Sequence, residues 1–141
     1  EWFKKNKIST DKLVVLDTSP YESREEADKQ LVVLRNKDVN AKFKSPLLKE
    51  LKQFCKKNKI SFSCKDKFII EKNKLREKEG LKPISIGSTE LGRIVMESNG
   101  QIQGSTLQIP TTGYHTVDET ASVESIKAII FILSSFYIKN F

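Results

Sequence analysis

Short apolar segments of strand length, separated by helical segments, constrain the fold of this chain more than any other sequence feature. Residues 12–17 (KLVVLD) and 30–36 (QLVVLRN) are continuous apolar runs, which are typical of strands buried on both faces. Residues 59–64 (KISFSC) alternate like a strand, and further strands are predicted at 83–87 and 105–111. Strands that alternate with helices predict an α/β layered domain with a largely parallel or mixed sheet.

The helical segments carry recognisable start and stop signals. The predicted N-cap residues are Ser45, Thr89 and Ser122. Pro46 suits a first helical turn, and Asn99-Gly100 is typical of a helix end. The last helix is predicted over residues 123–138, and residues 2–7 resemble the tail of another. The expected buried face of the last helix consists of Ile126, Ile129, Ile130, Leu133, Phe136 and Tyr137.

Residues 65–82 form a highly charged stretch with a small apolar anchor at Phe68, Ile69 and Ile70. Two structures are compatible with this pattern, an irregular excursion or a helix that covers the edge of the sheet. In either case Gly80 is expected to close the segment. We expect this stretch to be a variable insertion in the domain.

The positive net charge comes mainly from lysine. The chain has a formal net charge of +7, but only four of its 25 basic residues are arginine. Proteins that read nucleic acids favour arginine, because its planar guanidinium group forms paired hydrogen bonds with phosphates and bases. The charge therefore indicates a solvated surface, and nucleic acid is a disfavoured partner.

Membrane and secretory signals are not visible in the sequence. No apolar run approaches the roughly 18–20 residues that cross a bilayer, and residues 1–10 lack the apolar centre of a signal peptide. Cys55 lies on an apolar helical stripe, and with Cys64 it forms no CxxC motif, which favours free thiols. These features predict a cytoplasmic protein without a membrane partner.

Asp17 and His115 lie where an α/β sheet usually places its chemistry. Asp17 ends the first apolar run, before the Thr18-Ser19-Pro20 break, and His115 follows the predicted strand 105–111. Taken singly, a strand-end aspartate often caps a turn, and a lone loop histidine is usually a surface residue. Together, a carboxylate and an imidazole at strand ends are the ligand types that a zinc site recruits.

Four segments, in order, resemble the dinuclear zinc aminopeptidases that form tetrahedral particles, the glutamyl and deblocking aminopeptidase group. DKLVVLDTSP is similar to the family strand PDxAIxVDVTP. QLVVLRNKDVNAKFKSPLLKELKQFCKKNKISF is similar to the block GPVIRxxDxxxxxxPxLxxxLxxxAxxxxIPYQ. ISIGSTELGRIVMESNG is similar to GGTDAGAIHLANGG, and STLQIPTTGYHTVDETASVESIKAII to ISIPxRYIHSPVEVVDLxDVxxxxxLL. The resemblance covers roughly residues 8–138, with residues 65–82 unmatched.

The resemblance implies a three-layer sandwich around a mixed, mostly parallel sheet, and it assigns roles to individual residues. Asp17 matches the carboxylate ligand of one zinc ion, and His115 matches the imidazole ligand of the other. Glu119 is expected to hold the loop that aims His115. On the substrate side, Thr89 and Glu90 match a family Thr-Asp pair, while Tyr114 lies where the family pattern before the histidine differs. The implied cofactor is a pair of zinc ions, with cobalt or manganese as alternatives.

The same resemblance implies that the site is incomplete in this chain. The family's first histidine, bridging aspartate and glutamate pair would all precede residue 1, so residues 1–141 match a C-terminal portion of the domain and no catalytic residue is expected in it. The implied function is metal-dependent removal of N-terminal residues from peptides. The implied partners are a peptide substrate, the N-terminal segment of the same protein and further copies of the chain. Two alternatives stay open, a related zinc-dependent amino-acid deacylase and a non-catalytic module that binds nucleic acid.

Overall fold

A five-stranded mixed sheet forms the centre of the protein. The computed structural model describes residues 2–6 and 8–138. The strand order is β1-β4-β2-β3, and β5 pairs with β4. The β1–β4 and β2–β3 ladders are parallel, whereas β4 pairs antiparallel with β2 and β5, so most of the ladder is parallel. The strands are β1 Thr10–Pro20, β2 Val32–Leu34, β3 Phe62–Cys64, β4 Ile102–Thr112 and β5 Thr120–Ala121.

Six helices connect or flank these strands in the described part of the chain. They are α1 Trp2–Lys5, α2 Arg24–Ala27, α3 Pro46–Lys57, α4 Lys65–Lys78, α5 Glu90–Glu97 and α6 Val123–Ile132, which continues into a π-helical turn at Leu133–Tyr137. The three predicted N-caps are confirmed: the Ser45, Thr89 and Ser122 hydroxyls accept hydrogen bonds from backbone N–H groups of the first turns. Asn99 and Gly100 adopt positive φ values of 52° and 78° after α5, as a helix stop requires.

Helices pack on both faces of the sheet, which confirms the α/β class. On one face, α3, α6 and the π-helical turn pack around Val32, Leu34 and Leu107. On the other face, Leu91 and Val95 of α5 form a second cluster with Phe43, against which Leu13 and Val15 of β1 pack. Neighbouring residues in a strand point to opposite faces, so β1 contributes to both clusters, with Val14 on the first face and Leu13 and Val15 on the second.

The first predicted strand differs from the structure in length and in burial. Instead of breaking at Thr18, β1 continues to Pro20, and Asp17 therefore lies inside the strand. The expectation of burial on both faces is wrong, since the Leu16 side chain is 54% exposed. The reason is that β1 stands at the edge of the described sheet, where only β4 pairs with it.

Residues 83–87 do not form the predicted strand. A side chain replaces the strand partner there: Asn73 of α4 accepts a hydrogen bond from the Ile84 N–H at 2.8 Å and donates one to the Ile84 carbonyl at 2.9 Å. Gly87 follows with a positive φ of 76°, which turns the chain toward α5. The segment therefore remains irregular although its backbone is satisfied.

Of the two structures left open for residues 65–82, the helix is the one observed. Lys65–Lys78 form α4, directly after the edge strand β3, and Gly80 ends the turn with a φ of 70°. Within this helix, the Ile69 side chain is buried, whereas the Ile70 side chain is 40% exposed. The interpretation of this segment as a variable insertion remains a prediction.

The buried face of the last helix is only partly the predicted one. Phe136 and Tyr137 are buried, but Ile126 and Ile130 are 44% and 60% exposed. In their place α6 buries Ser125, Ala128 and Ile132. The π-helical turn holds more residues per turn than an α-helix, so one 3.6-residue projection cannot place both ends of this segment on the core. In the described part of the chain, no helix is long and apolar enough to span a membrane.

The core cluster around α3 gives a first testable prediction. Leu51→Ala removes a fully buried side chain and is expected to lower the free energy of unfolding by about 2–5 kcal/mol. Leu75→Ala, on an exposed face of α4, is the matched control and is expected to change it by less than about 0.5 kcal/mol. Urea denaturation followed by circular dichroism measures both. Equal losses for the two variants would contradict this core assignment.

Candidate functional site

The Asp17 carboxylate is exposed on β1, and two donors orient it. The register of the parallel ladder places Asp17 opposite Gln108 of β4. Its Oδ1 accepts a hydrogen bond from the Thr18 N–H at 2.8 Å, and its Oδ2 lies 3.4 Å from Gln108 Nε2. The carboxylate is thus held at the sheet edge while its remaining lone pairs stay open to a ligand.

Gln108 links Asp17 to a buried arginine that the sequence analysis did not single out. Its side chain is fully buried, and its Oε1 accepts a hydrogen bond from Arg35 Nε at 2.8 Å. Its Nε2 donates to the Thr18 carbonyl at 3.0 Å. Because an arginine can only donate, the amide orientation is fixed. The sequence contains a signal for this buried polar link, because a glutamine interrupts an otherwise apolar run at residues 107–110.

His115 lies in the loop after β4, as predicted, and its side chain is exposed. Its backbone adopts a positive φ of 60°, which is uncommon for a residue other than glycine. The imidazole stacks on the Tyr114 ring with a centroid distance of 3.8 Å and an interplanar angle of 23°. Among the described residues, no hydrogen-bond partner is found for the two ring nitrogens, so both are open to a ligand.

Glu119 ties both ends of this loop together. Its Oε1 accepts a hydrogen bond from the Thr111 hydroxyl at 2.9 Å, at the end of β4. Its Oε2 lies 3.4 Å from the His115 backbone nitrogen, which donates to it. The expected role of Glu119 in holding the histidine loop requires hydrogen bonds of this kind. The role itself remains a prediction.

Thr89 and Glu90 lie at the start of α5, and Thr89 is already engaged. The buried Thr89 hydroxyl donates to Asp38 Oδ2 at 2.8 Å and accepts from the Gly92 N–H at 3.1 Å. Asp38 also accepts hydrogen bonds from three backbone N–H groups, those of Asn40, Ala41 and Thr89. Thr89 therefore fixes α5 to the preceding loop, while Glu90 is exposed to solvent.

The donor types fit zinc, but their number does not complete a site. Asp17 and His115 supply one carboxylate and one imidazole near the carboxyl ends of two parallel strands, β1 and β4. No contact joins the two side chains in the structure. Over residues 2–6 and 8–138, no group of three or more histidine, cysteine, aspartate or glutamate side chains is placed to hold a metal ion. A catalytic zinc ion needs about three protein ligands, so the described residues alone do not fit it.

Comparison with known proteins supports the fold. The solved structure of PhTET1-12s, a dodecamer, superposes with a TM-score of 0.64 at 14% sequence identity. The match covers 96% of this chain and 36% of that chain, so the present sequence spans about a third of its length. No protein-family model and no curated protein sequence matches the chain. Identity this low shows a shared fold only.

The contact between Asp38 and α5 can be tested at Gly92. A Cβ atom at this position would lie 2.0 Å from Asp38 Oδ2. Alanine normally favours a helix over glycine by about 1 kcal/mol, yet the clash is expected to outweigh this, for a net loss of about 1–2 kcal/mol in unfolding free energy. Thermal and urea denaturation of Gly92→Ala check the loss. The neighbouring exposed variant Arg93→Ala is the control, and a Gly92→Ala variant as stable as the wild type would refute the contact.

Proposed function

We propose that this chain is the C-terminal part of a zinc-dependent aminopeptidase domain. One observation carries the proposal: nearly the whole chain shares the fold of PhTET1-12s, whose name marks it as one of the tetrahedral aminopeptidases. The four ordered sequence motifs point to the same group independently of the coordinates. Agreement between local sequence motifs and the three-dimensional match is stronger support than either finding alone, because fold by itself does not specify function.

In this proposal, Asp17 and His115 each donate one ligand to a two-zinc centre that residues outside this sequence complete. Bound zinc ions supply polarisation of the scissile carbonyl and a water of lowered pKa. The residues of this chain would orient the two ligand side chains. Thr18 and Gln108 hold the Asp17 carboxylate, and Glu119 holds the loop of His115. Hydrogen bonds of this kind raise the affinity of ligands for the metal because they reduce the freedom that binding must remove.

The proposed partners follow from the same comparison. The substrate would be a peptide with a free amino terminus, and the rest of the catalytic domain would cover the Asp17 edge. We also propose that the protein forms a homo-oligomer, which is supported by the dodecameric assembly of PhTET1-12s. A cytoplasmic location remains the expectation from the cysteine usage and the sequence.

The metal roles are tested in the protein that carries this chain together with the rest of the domain. Asp17→Asn and His115→Ala are each expected to lower kcat/KM on aminoacyl p-nitroanilides by about 100-fold or more, because even residues behind metal ligands contribute 10–100-fold. The matched controls are Asp11→Asn on β1 and Asp118→Asn in the histidine loop, both exposed. These controls are expected to stay within about twofold of the wild type.

The same assays separate this proposal from the alternatives. Unchanged hydrolysis in His115→Ala would refute a metal role for this residue. Hydrolysis of N-acetyl amino acids in place of aminoacyl p-nitroanilides would instead identify a deacylase. Absence of both activities, together with binding to DNA or RNA that weakens steeply with salt, would refute the enzyme proposal in favour of a nucleic-acid module.

A further inference from the structure

A cavity lies beyond the carboxyl end of β1, and its lining begins at Pro20, three residues after Asp17. Its volume is about 320 Å³. It is bounded by Pro20 and Tyr21 after β1, by the first two turns of α4, and by the irregular segment that ends at Gly87. Phe68, Ile69 and Ile84 supply an apolar wall. A cavity of this size holds a small molecule and not a polypeptide.

Two buried cations line this cavity. Arg35 and Lys65 are only 4% and 5% exposed. Lys65 Nζ donates to the Pro20 carbonyl and lies 3.5 Å from the centre of the Tyr21 ring. Arg35 donates from Nε to Gln108 and from Nη1 to the Ile86 carbonyl. Within the described chain, its Nη2 has no acceptor, and a Cβ atom at Gly87 would lie 4.0 Å from it.

Among the described residues, neither of these two cations forms an ion pair with a carboxylate. The acidic residues on the cavity wall, Glu22 and Glu26, both pair with a third cation, Lys72, at 2.6 and 2.9 Å. Further carboxylates in the vicinity of Arg35 are also engaged, since Asp66 accepts hydrogen bonds from Asn36 and Asp38 holds α5. The wall thus carries three cations against two carboxylates and keeps a net positive charge. Asp38, Asp17 and Asp66 act on Arg35 electrostatically, and Glu26 and Glu22 act on Lys65, but none of them is paired with either cation.

The electrostatics of Lys65 agree with this geometry. Burial, followed by the positive charge of Arg35, lowers the pKa of Lys65 to about 8. Two like charges that are both removed from water disfavour the folded state unless an anion accompanies them. Lys65 is also the first residue of α4, where the helix dipole adds partial positive charge.

We propose that this cavity binds a small oxyanion, the carboxylate of an organic acid or a phosphate, between Arg35 Nη2 and the Lys65 ammonium group. Arginine and lysine around one anion give charge-assisted hydrogen bonds, and the apolar wall would contact the organic part of the ligand. The neutral carbonyl partners of both cations would keep their positions. None of the proposed zinc ligands lines this cavity. A negative result for oxyanion binding would therefore leave the aminopeptidase proposal unaffected, and the reverse also holds.

The test is a titration of the ¹⁵N-labelled chain, followed by two-dimensional NMR at slightly acidic pH, where Lys65 is charged. The probes are inorganic phosphate and glutarate, titrated separately. We expect saturable shifts at the amides of Tyr21, Lys65 and Gly87 with at least one probe, and the probe that saturates identifies the source of the oxyanion. Lys65→Met is expected to weaken this binding by about tenfold or more.

Lys127→Met is the matched control, because it removes the same charge from an exposed position on α6. It is expected to leave the affinity within about twofold of the wild type. Linear, non-saturating shifts spread over many surface amides with both probes would overturn the proposal, and so would equal weakening in the two variants. Should Lys65→Met not fold, the wild-type titration still decides between localised and diffuse shifts.

Discussion

The parallel ladder between β1 and β4 is the interaction on which the rest of the structure depends. Nine residue pairs join strands that are about 90 positions apart in sequence, from Thr10 and Ile102 to Pro20 and Thr111. The ladder brings Asp17 beside Gln108 and starts the His115 loop close to the end of β1. The cavity that Arg35 and Lys65 line begins at Pro20, where this ladder ends. Both proposed sites are therefore products of one long-range pairing.

Local signals made much of the fold predictable. The caps at Ser45, Thr89 and Ser122 depend on hydrogen bonds within one helical turn, so the sequence determines them directly. The predictions were wrong where a residue distant in the sequence determined the local structure. The Ile84 backbone forms hydrogen bonds with the Asn73 side chain of α4 and not with a neighbouring strand. Leu16 is exposed because β1 has only one neighbouring strand in the described sheet.

The candidate site shows the same difference between local sequence signals and contacts that join distant parts of the chain. Asp17 and His115 could be singled out as candidate ligands because each follows a short apolar segment, and their metal role remains a prediction. The Arg35–Gln108–Asp17 connection could not, since its members are up to 91 residues apart and meet only through strand register. Likewise, the pattern of residues 65–82 indicated a charged surface but not that Lys65 would be 5% exposed. Burial of a lysine depends on the elements packed around it, here α4, the end of β1 and the segment before α5.

The central claim is that this chain contributes two ligands to a zinc centre and cannot hold zinc tightly by itself. Equilibrium dialysis of the 141-residue chain against zinc at micromolar concentration, with metal analysis by mass spectrometry, tests it most directly. We predict well below one zinc ion per chain, because one carboxylate and one imidazole fall short of the three ligands that a stable site requires. Tight, stoichiometric binding of one or two zinc ions would contradict the account.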